Sequence, residues 1–313
     1  MAAVVAGAIF LAVTVVIWTG DGASEATAPT NAAPRHDSAI VSVPPPSGGA
    51  PGAAAAPNAS AVSAALDKAI RNTLGTDIDH YSVSVRRLSD GATASVNGNT
   101  VYYAASLFKL AVLYEVERQR SDGTLDITGT ITLTADDVAE DMGTLSQLGV
   151  GAGDSLPIET ALKAMVTASD NSTADALLRT VGGDATDTTL RDLGIMRMDV
   201  NTLMLPTTSD DMATLMTAIV DGTGVNAAAA QEMRSLLEEQ ETRAGIPAGL
   251  PPGTAVGNKT GTWDGNTHDV AFVDAPGGTY VIAVLSDRGW VWPPIARVSR
   301  AVYDVLSSGS ASS

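Results

Sequence analysis

Strand-like alternation occurs towards the two ends of this chain and helical periodicity fills its middle, and that separation constrains the architecture more than any other feature. Tyr81, Val83 and Val85 alternate with polar residues, and Asp90-Gly91 leads into Ala92 to Val96, the pattern of an antiparallel hairpin. A lone two-stranded hairpin is marginal in water, so it needs further strands. They are found only at Thr254 to Gly261, Asp269 to Val273 and Tyr280 to Leu285, the last two joined by a Pro276-Gly277-Gly278 turn. The economical solution is one antiparallel five-stranded sheet built from both ends. Val62, Leu66, Ile70 and Leu74, closed by Gly75, predict one flanking helix. Ile295, Val298, Val302, Val305 and Leu306 behind Pro293-Pro294 predict another.

Between these ends, helices are expected at 106–118, 158–168, 171–180, 209–220 and 227–239, with no strand among them. The fold class is therefore α/β plus all-α: a five-stranded antiparallel sheet flanked by terminal helices, with an inserted helical domain. The α/β part takes 61–105 and 252–307, the helical part 106–251, and a cleft is expected between them.

Outside 61–307 the chain reads differently. Ala2 to Trp18 is an uninterrupted apolar run bounded by Asp21, so residues 1–19 are expected to be a signal peptide or membrane anchor, with the membrane met through 2–18. Residues 20–60, rich in Ala, Pro and Gly, read as a disordered linker, and 308–313 as a disordered tail. The expected location is extracytoplasmic, secreted or anchored. The formal net charge of −17 and the lack of a basic run exclude nucleic acid as a partner. The absence of cysteine excludes disulfides and thiolate catalysis. His36, His80 and His268 have no metal-ligand spacing, so neither metal nor cofactor is expected. The expected state is a monomer.

There are only four lysines, Lys68, Lys109, Lys163 and Lys259, against fourteen arginines, so each invites a reason. Lys109 lies in Leu107-Phe108-Lys109-Leu110-Ala111-Val112-Leu113, a helix with almost no polar face, three residues after Ser106. Burial disfavours an ammonium, which makes Lys109 a base for the Ser106 hydroxyl. Ser106, at the helix start, has free N–H groups beside it for an oxyanion. The competing reading is that Ser106 merely caps the helix while Lys109 snorkels outward.

Two further clusters add to this pair. Ser169-Asp170-Asn171 falls at a helix-to-helix corner, where Ser169 can pass a proton to a leaving nitrogen and Asn171 can orient Lys109 and bind a substrate carbonyl. Alternatively, Ser169 or Asp170 is simply an N-cap. Lys259-Thr260-Gly261 lies on a strand. Lys259 offers charge to a substrate carboxylate, Thr260 and Thr262 offer donors, and Gly261 permits a ligand backbone to approach. The N–H groups of Ser106 and Thr262 are candidates for an oxyanion hole. His268-Asp269 suggests a catalytic pair, but a histidine at a strand start is more often structural.

Ser-x-x-Lys, Ser-Asp-Asn and Lys-Thr-Gly in this order resemble the signature of class A β-lactamases and penicillin-recognising serine hydrolases. The resemblance runs over roughly residues 60 to 307 and includes Val181-Gly182-Gly183 and Arg197-Met198-Asp199. It implies a sheet with terminal helices plus a helical domain, and acylation of Ser106 by a β-lactam or related amide. It also implies a glutamate, after the Arg-x-Asp segment, that activates water to release the acyl group. Residues 197–208 contain no glutamate and form a short loop. The expectation is intact acylation with slow deacylation, Lys109 or Asp199 being candidates to assist. A D-alanyl-D-alanine peptidase or other serine acyl hydrolase, and a non-catalytic cell-wall or penicillin-binding module, are the alternatives.

Overall fold

The computed structural model describes residues 57–141 and 143–308. In chain order its elements are α1 (Pro57–Leu74), β1 (Tyr81–Arg87), β2 (Thr93–Val96), β3 (Tyr102–Tyr103), α2 (Phe108–Ser121), β4 (Thr130–Thr132), α3 (Ala135–Ala139), α4 (Thr144–Leu148) and β5 (Ser155–Pro157). They continue with α5 (Ile158–Thr167), α6 (Asn171–Val181), α7 (Gly183–Asp192), β6 (Pro206–Thr207), α8 (Ser209–Asp221), α9 (Ala227–Glu238), β7 (Ala255–Trp263), β8 (Asn266–Ala275), β9 (Gly278–Ser286) and α10 (Pro293–Ser308). The expected anchor and most of the expected linker and tail lie outside the described residues. No helix among the described residues is long and apolar enough to cross a membrane.

The hairpin joins the later strands as expected, in one five-stranded sheet of order β2-β1-β9-β8-β7. β1 runs antiparallel to β9 with Val83 opposite Val284, and β7 is the free edge on the far side. One face of the sheet buries Val83, Val85, Ile282 and Val284 against Leu66 and Ile70 of α1 and Val298 and Val302 of α10. Each fully buried Leu or Ile of this kind stabilises by roughly 1.5–3 kcal/mol. The other face packs Val270, Phe272, Val281 and Ala283 against the helical part, including Met212 and Leu215 of α8.

The alternation in β1 does not mark a solvated face. Ser82 and Ser84 are buried, and their hydroxyls meet Ser209 Oγ at the start of α8 at 2.6 and 3.1 Å. Polar strand residues are thus satisfied by a helix N-terminus rather than by water.

Three expectations need correction. The first helix begins at Pro57, inside the stretch assigned to the linker, and Ala59 is already buried. The helical middle does contain strands: β4 pairs with β5 and β3 with β6, but with one apolar residue or none central to each they are too short to show a period. Three helices went unforeseen. α3 and α4 are five residues each, and α7 (Gly-Asp-Ala-Thr-Asp-Thr-Thr-Leu-Arg-Asp) has no apolar stripe, because it buries Thr189 as a donor to Glu115 Oε2 at 2.7 Å.

Gly261 fixes how closely the two parts meet. A Cβ there would lie 2.8 Å from the Ala104 carbonyl oxygen and 3.2 Å from the Leu107 nitrogen, so the turn before α2 sits directly on β7. The close approach foreseen for this glycine is therefore made by the protein's own backbone and not by a ligand. Gly261→Ala is expected to lower the unfolding free energy by about 1–3 kcal/mol through overpacking. Urea denaturation checks this, and unchanged stability would show that the contact is soft.

Candidate active site

The chain reaches Ser106 through a strained turn. Ala105 adopts φ +47°, and Ala105–Leu107 form a single 3-10 turn that runs into α2. The small side chains of Ala104 and Ala105 let this turn press on β7. α2 then passes through the core with every residue from Lys109 to Glu117 buried. The Lys109 side chain is fully buried.

The Lys109 amine is surrounded by oxygen. Nζ donates to the Ser169 carbonyl at 2.5 Å and to Asn171 Oδ1 at 2.7 Å, and lies 3.1 Å from Ser106 Oγ and 3.4 Å from Ser169 Oγ. A neutral amine satisfies this arrangement: its two N–H bonds serve the two nearest acceptors and its lone pair faces the Ser106 hydroxyl. Burial lowers the Lys109 pKa from 10.5 to about 8, against the pull of the Asp170 and Asp175 carboxylates.

Ser169 is the meeting point of both buried lysines. The corner between α5 and α6 turns at Ser169 with φ +60°, and Asp170 caps α6 by accepting from the Thr173 N–H at 2.7 Å. Lys259 reaches across from β7 and donates to Ser169 Oγ at 2.8 Å and to its neighbour's carbonyl, Thr260 O, at 2.9 Å. Strand alternation turns Lys259 towards the helical part, where it is fully buried, so direct pairing with a substrate carboxylate is not what the structure shows. Burial, with the nearby Lys109 charge, pushes the Lys259 pKa well down, opposed by Asp269.

Above these groups is a cavity of about 660 Å³. Ser106, Ser169, Asn171 and Thr262 line it. Lys109 and Lys259 lie beneath its floor, and Thr260 and Gly261 are not on its wall. Residues not anticipated complete it: the carboxylates Glu140 and Asp175, the aromatic Tyr103, Trp263 and Trp290, and Val200 to Leu203 with Leu205 from the loop. Trp263 and Trp290 are exposed, and Tyr103 meets Trp263 edge-on with ring centroids 6.4 Å apart. A smaller concavity of about 330 Å³ around Arg243 and Pro251 holds none of these groups.

Backbone strain concentrates on this cavity. Among the described residues five non-glycine positions have positive φ, and four of them, Ala105, Ser169, Leu205 and Trp290, line its wall. Such conformations cost of order 1–3 kcal/mol each and persist where surrounding structure imposes them, commonly at functional sites.

Two other sequence candidates are placed elsewhere. His268 is buried behind the sheet edge, where its Nε2–H donates to the Tyr103 carbonyl at 2.9 Å and its Nδ1 accepts from the Ser286 N–H at 3.1 Å. Burial lowers its pKa to about 4, so it is a neutral strut that holds the Tyr103 wall. Asp269 points away, to Asn258 Nδ2 and the Ile246 N–H. Asp199 accepts from the Asn201 N–H at 2.8 Å and is not on the cavity wall, which removes it as a group that could activate water there.

The fold is shared with solved structures. PBP-A superposes with a TM-score of 0.71 at 24% identity, covering 78% of this chain and 96% of that one. A mutant of PBP-A in an acyl-enzyme complex with penicillin G gives 0.72 at the same identity and coverage. A β-lactamase from Sphaerobacter thermophilus gives 0.67 at 24% identity, covering 79% of this chain and 97% of that one. No curated protein matches the sequence. Residues 65–306 match the beta-lactamase enzyme family. That span contains the Ser106 turn, the Ser169 corner and strand β7, which all contribute residues to one cavity, and the chain belongs to this family of class A β-lactamase-like serine hydrolases.

Proposed function

We propose that Ser106 opens β-lactams or related amides to form an acyl-enzyme, and that release of the acyl group is slow. The observation that carries this reading is a fully buried amine, Lys109 Nζ, 3.1 Å from Ser106 Oγ. The PBP-A mutant solved as an acyl-enzyme complex with penicillin G, at 24% identity, supports the substrate class. The neutral amine takes the hydroxyl proton as Oγ attacks the amide carbon. The N–H groups of Ser106 and Thr262 receive the developing oxyanion. Ser169, held between Lys259 and Lys109, passes a proton to the leaving nitrogen. Asn171 holds the Lys109 amine and offers its amide to the substrate carbonyl.

Slow release follows from the loop 197–208. It supplies apolar and amide groups to the cavity but no carboxylate on the wall. We further propose that the enzyme works outside the cytoplasm, a reading supported by the apolar run at 2–18. Protease digestion of intact cells tests this, with degradation expected.

Incubation with penicillin G followed by intact-mass measurement is expected to show one adduct per chain, mapped to Ser106 and absent in Ser106→Ala. Lack of an adduct on the wild-type protein would refute the reading. Adduct formation is expected to accelerate with pH and level off near 8, because below the Lys109 pKa of about 8 the protonated amine has no lone pair for the hydroxyl. Lys109→Ala is expected to slow adduct formation by about 10²- to 10⁴-fold, the range for loss of a general base. A flat profile between pH 6 and 9 would remove Lys109 from that role.

A further inference from the structure

Hydrolysis of an ester on Ser106 needs a base that can accept a proton from water at neutral pH. Most groups near the cavity are already committed. Lys109 keeps its proton below about pH 8 and points its polar atoms at Ser169, Asn171 and Ser106. His268 has both ring nitrogens bonded behind the wall, and neither Asp170, whose Oδ1 caps α6, nor Asp199 lines the cavity.

Asp175 is not committed. It stands one turn after Asn171 on α6, so the two side chains share a helix face. Asn171 Oδ1 touches Lys109 Nζ, which touches Ser106 Oγ, and Asp175 lines the same cavity as Ser106 and Asn171. Its carboxylate forms no side-chain hydrogen bond or ion pair with the described residues, although it is half-buried. Glu140 lines the cavity too, but the carboxylates whose charges reach the Lys109 amine are those of Asp170 and Asp175.

We propose that Asp175 is the general base that activates water against the Ser106 ester, and so carries the slow deacylation. The proposal rests on the acyl-enzyme reading above. The water oxygen bonds to the ester carbonyl carbon while one water proton moves to the Asp175 carboxylate. The tetrahedral intermediate then collapses and the carbon–Oγ bond breaks as the Lys109 ammonium, 3.1 Å away, gives a proton to Oγ; Asp175 releases its proton to solvent, from which Lys109 is reprotonated. The acid product leaves and Ser106 regains its hydroxyl. Asp175 and Ser106 face the same cavity of about 660 Å³, which is large enough to hold a water.

The groups facing Asp175 come from several elements: Glu140 after α3, Asp137 on α3, Asp170 at the corner and Lys109 on α2. Burial first, then the Glu140 charge, raises the Asp175 pKa above the usual carboxylate value, and Lys109 opposes this. A raised carboxylate is a better proton acceptor once ionised.

The test loads the wild-type protein with penicillin G, removes the excess, and follows adduct loss by intact mass across pH. Loss is expected to slow as pH falls and Asp175 takes up a proton. Asp175→Asn is expected to abolish that limb and to slow loss about 100-fold, the lower end of general-base effects, while slowing adduct formation far less. Asp175→Ser makes the same comparison should the amide variant not fold. An Asp175→Asn adduct that decays at the wild-type rate, or a wild-type adduct that never decays, overturns the proposal. No adduct on wild-type protein overturns the acyl-enzyme reading and the proposal with it.

Discussion

One lysine amine held out of water organises this protein. Moving the Lys109 pKa from 10.5 to about 8 corresponds to about 3 kcal/mol in favour of the neutral form, set mainly by burial. That cost is tolerated because the amine sits among the Ser169 carbonyl, the Asn171 amide and the Ser106 hydroxyl. Remove those acceptors and α2 would carry an unpaired polar group through its core, a penalty of 1–3 kcal/mol or more. The same contacts that make the helix tolerable therefore hold the Ser106 hydroxyl beside that amine.

The fold serves this arrangement by bringing three distant segments onto one point. The sheet provides an edge strand, β7, and Gly261 lets the turn carrying Ser106 lie directly against it. The second buried lysine, Lys259, approaches from that strand and meets the first at Ser169. The Lys109 charge so near, and so far from water, adds to burial in lowering the basicity of Lys259. The left-handed backbone at Ala105 and Ser169 is consistent with segments held in place by these contacts rather than by local preference.

Much of this was legible in the sequence wherever the relevant chemistry is local. Ser106 and Lys109 are one helical turn apart in an apolar run, so both burial and proximity could be read from a single stretch. The five-stranded sheet followed from the need of β1 and β2 for partners. Lys259 was legible as important but not in its role, because a one-residue alternation decides whether a strand lysine faces the ligand or the interior. Asp175 was not legible, since an aspartate on a mixed helix face looks solvated until its neighbours are known. Tyr103, Trp263 and Trp290 share a wall but come from three segments, and no spacing in the chain connects them. The loop 197–208 showed its lack of glutamate, yet not that Asp199 would turn to its own backbone.

The most direct test of the account is the ionisation of that amine in the resting protein. Lysine labelled with ¹³C at the carbon next to Nζ gives one NMR signal per lysine, and Lys109→Arg identifies the signal that belongs to Lys109. Buried as described, the Lys109 signal titrates near pH 8. A midpoint at the ordinary lysine value of about 10.4 would mean that the amine is solvated and charged, and the proposed chemistry at Ser106 would have no base.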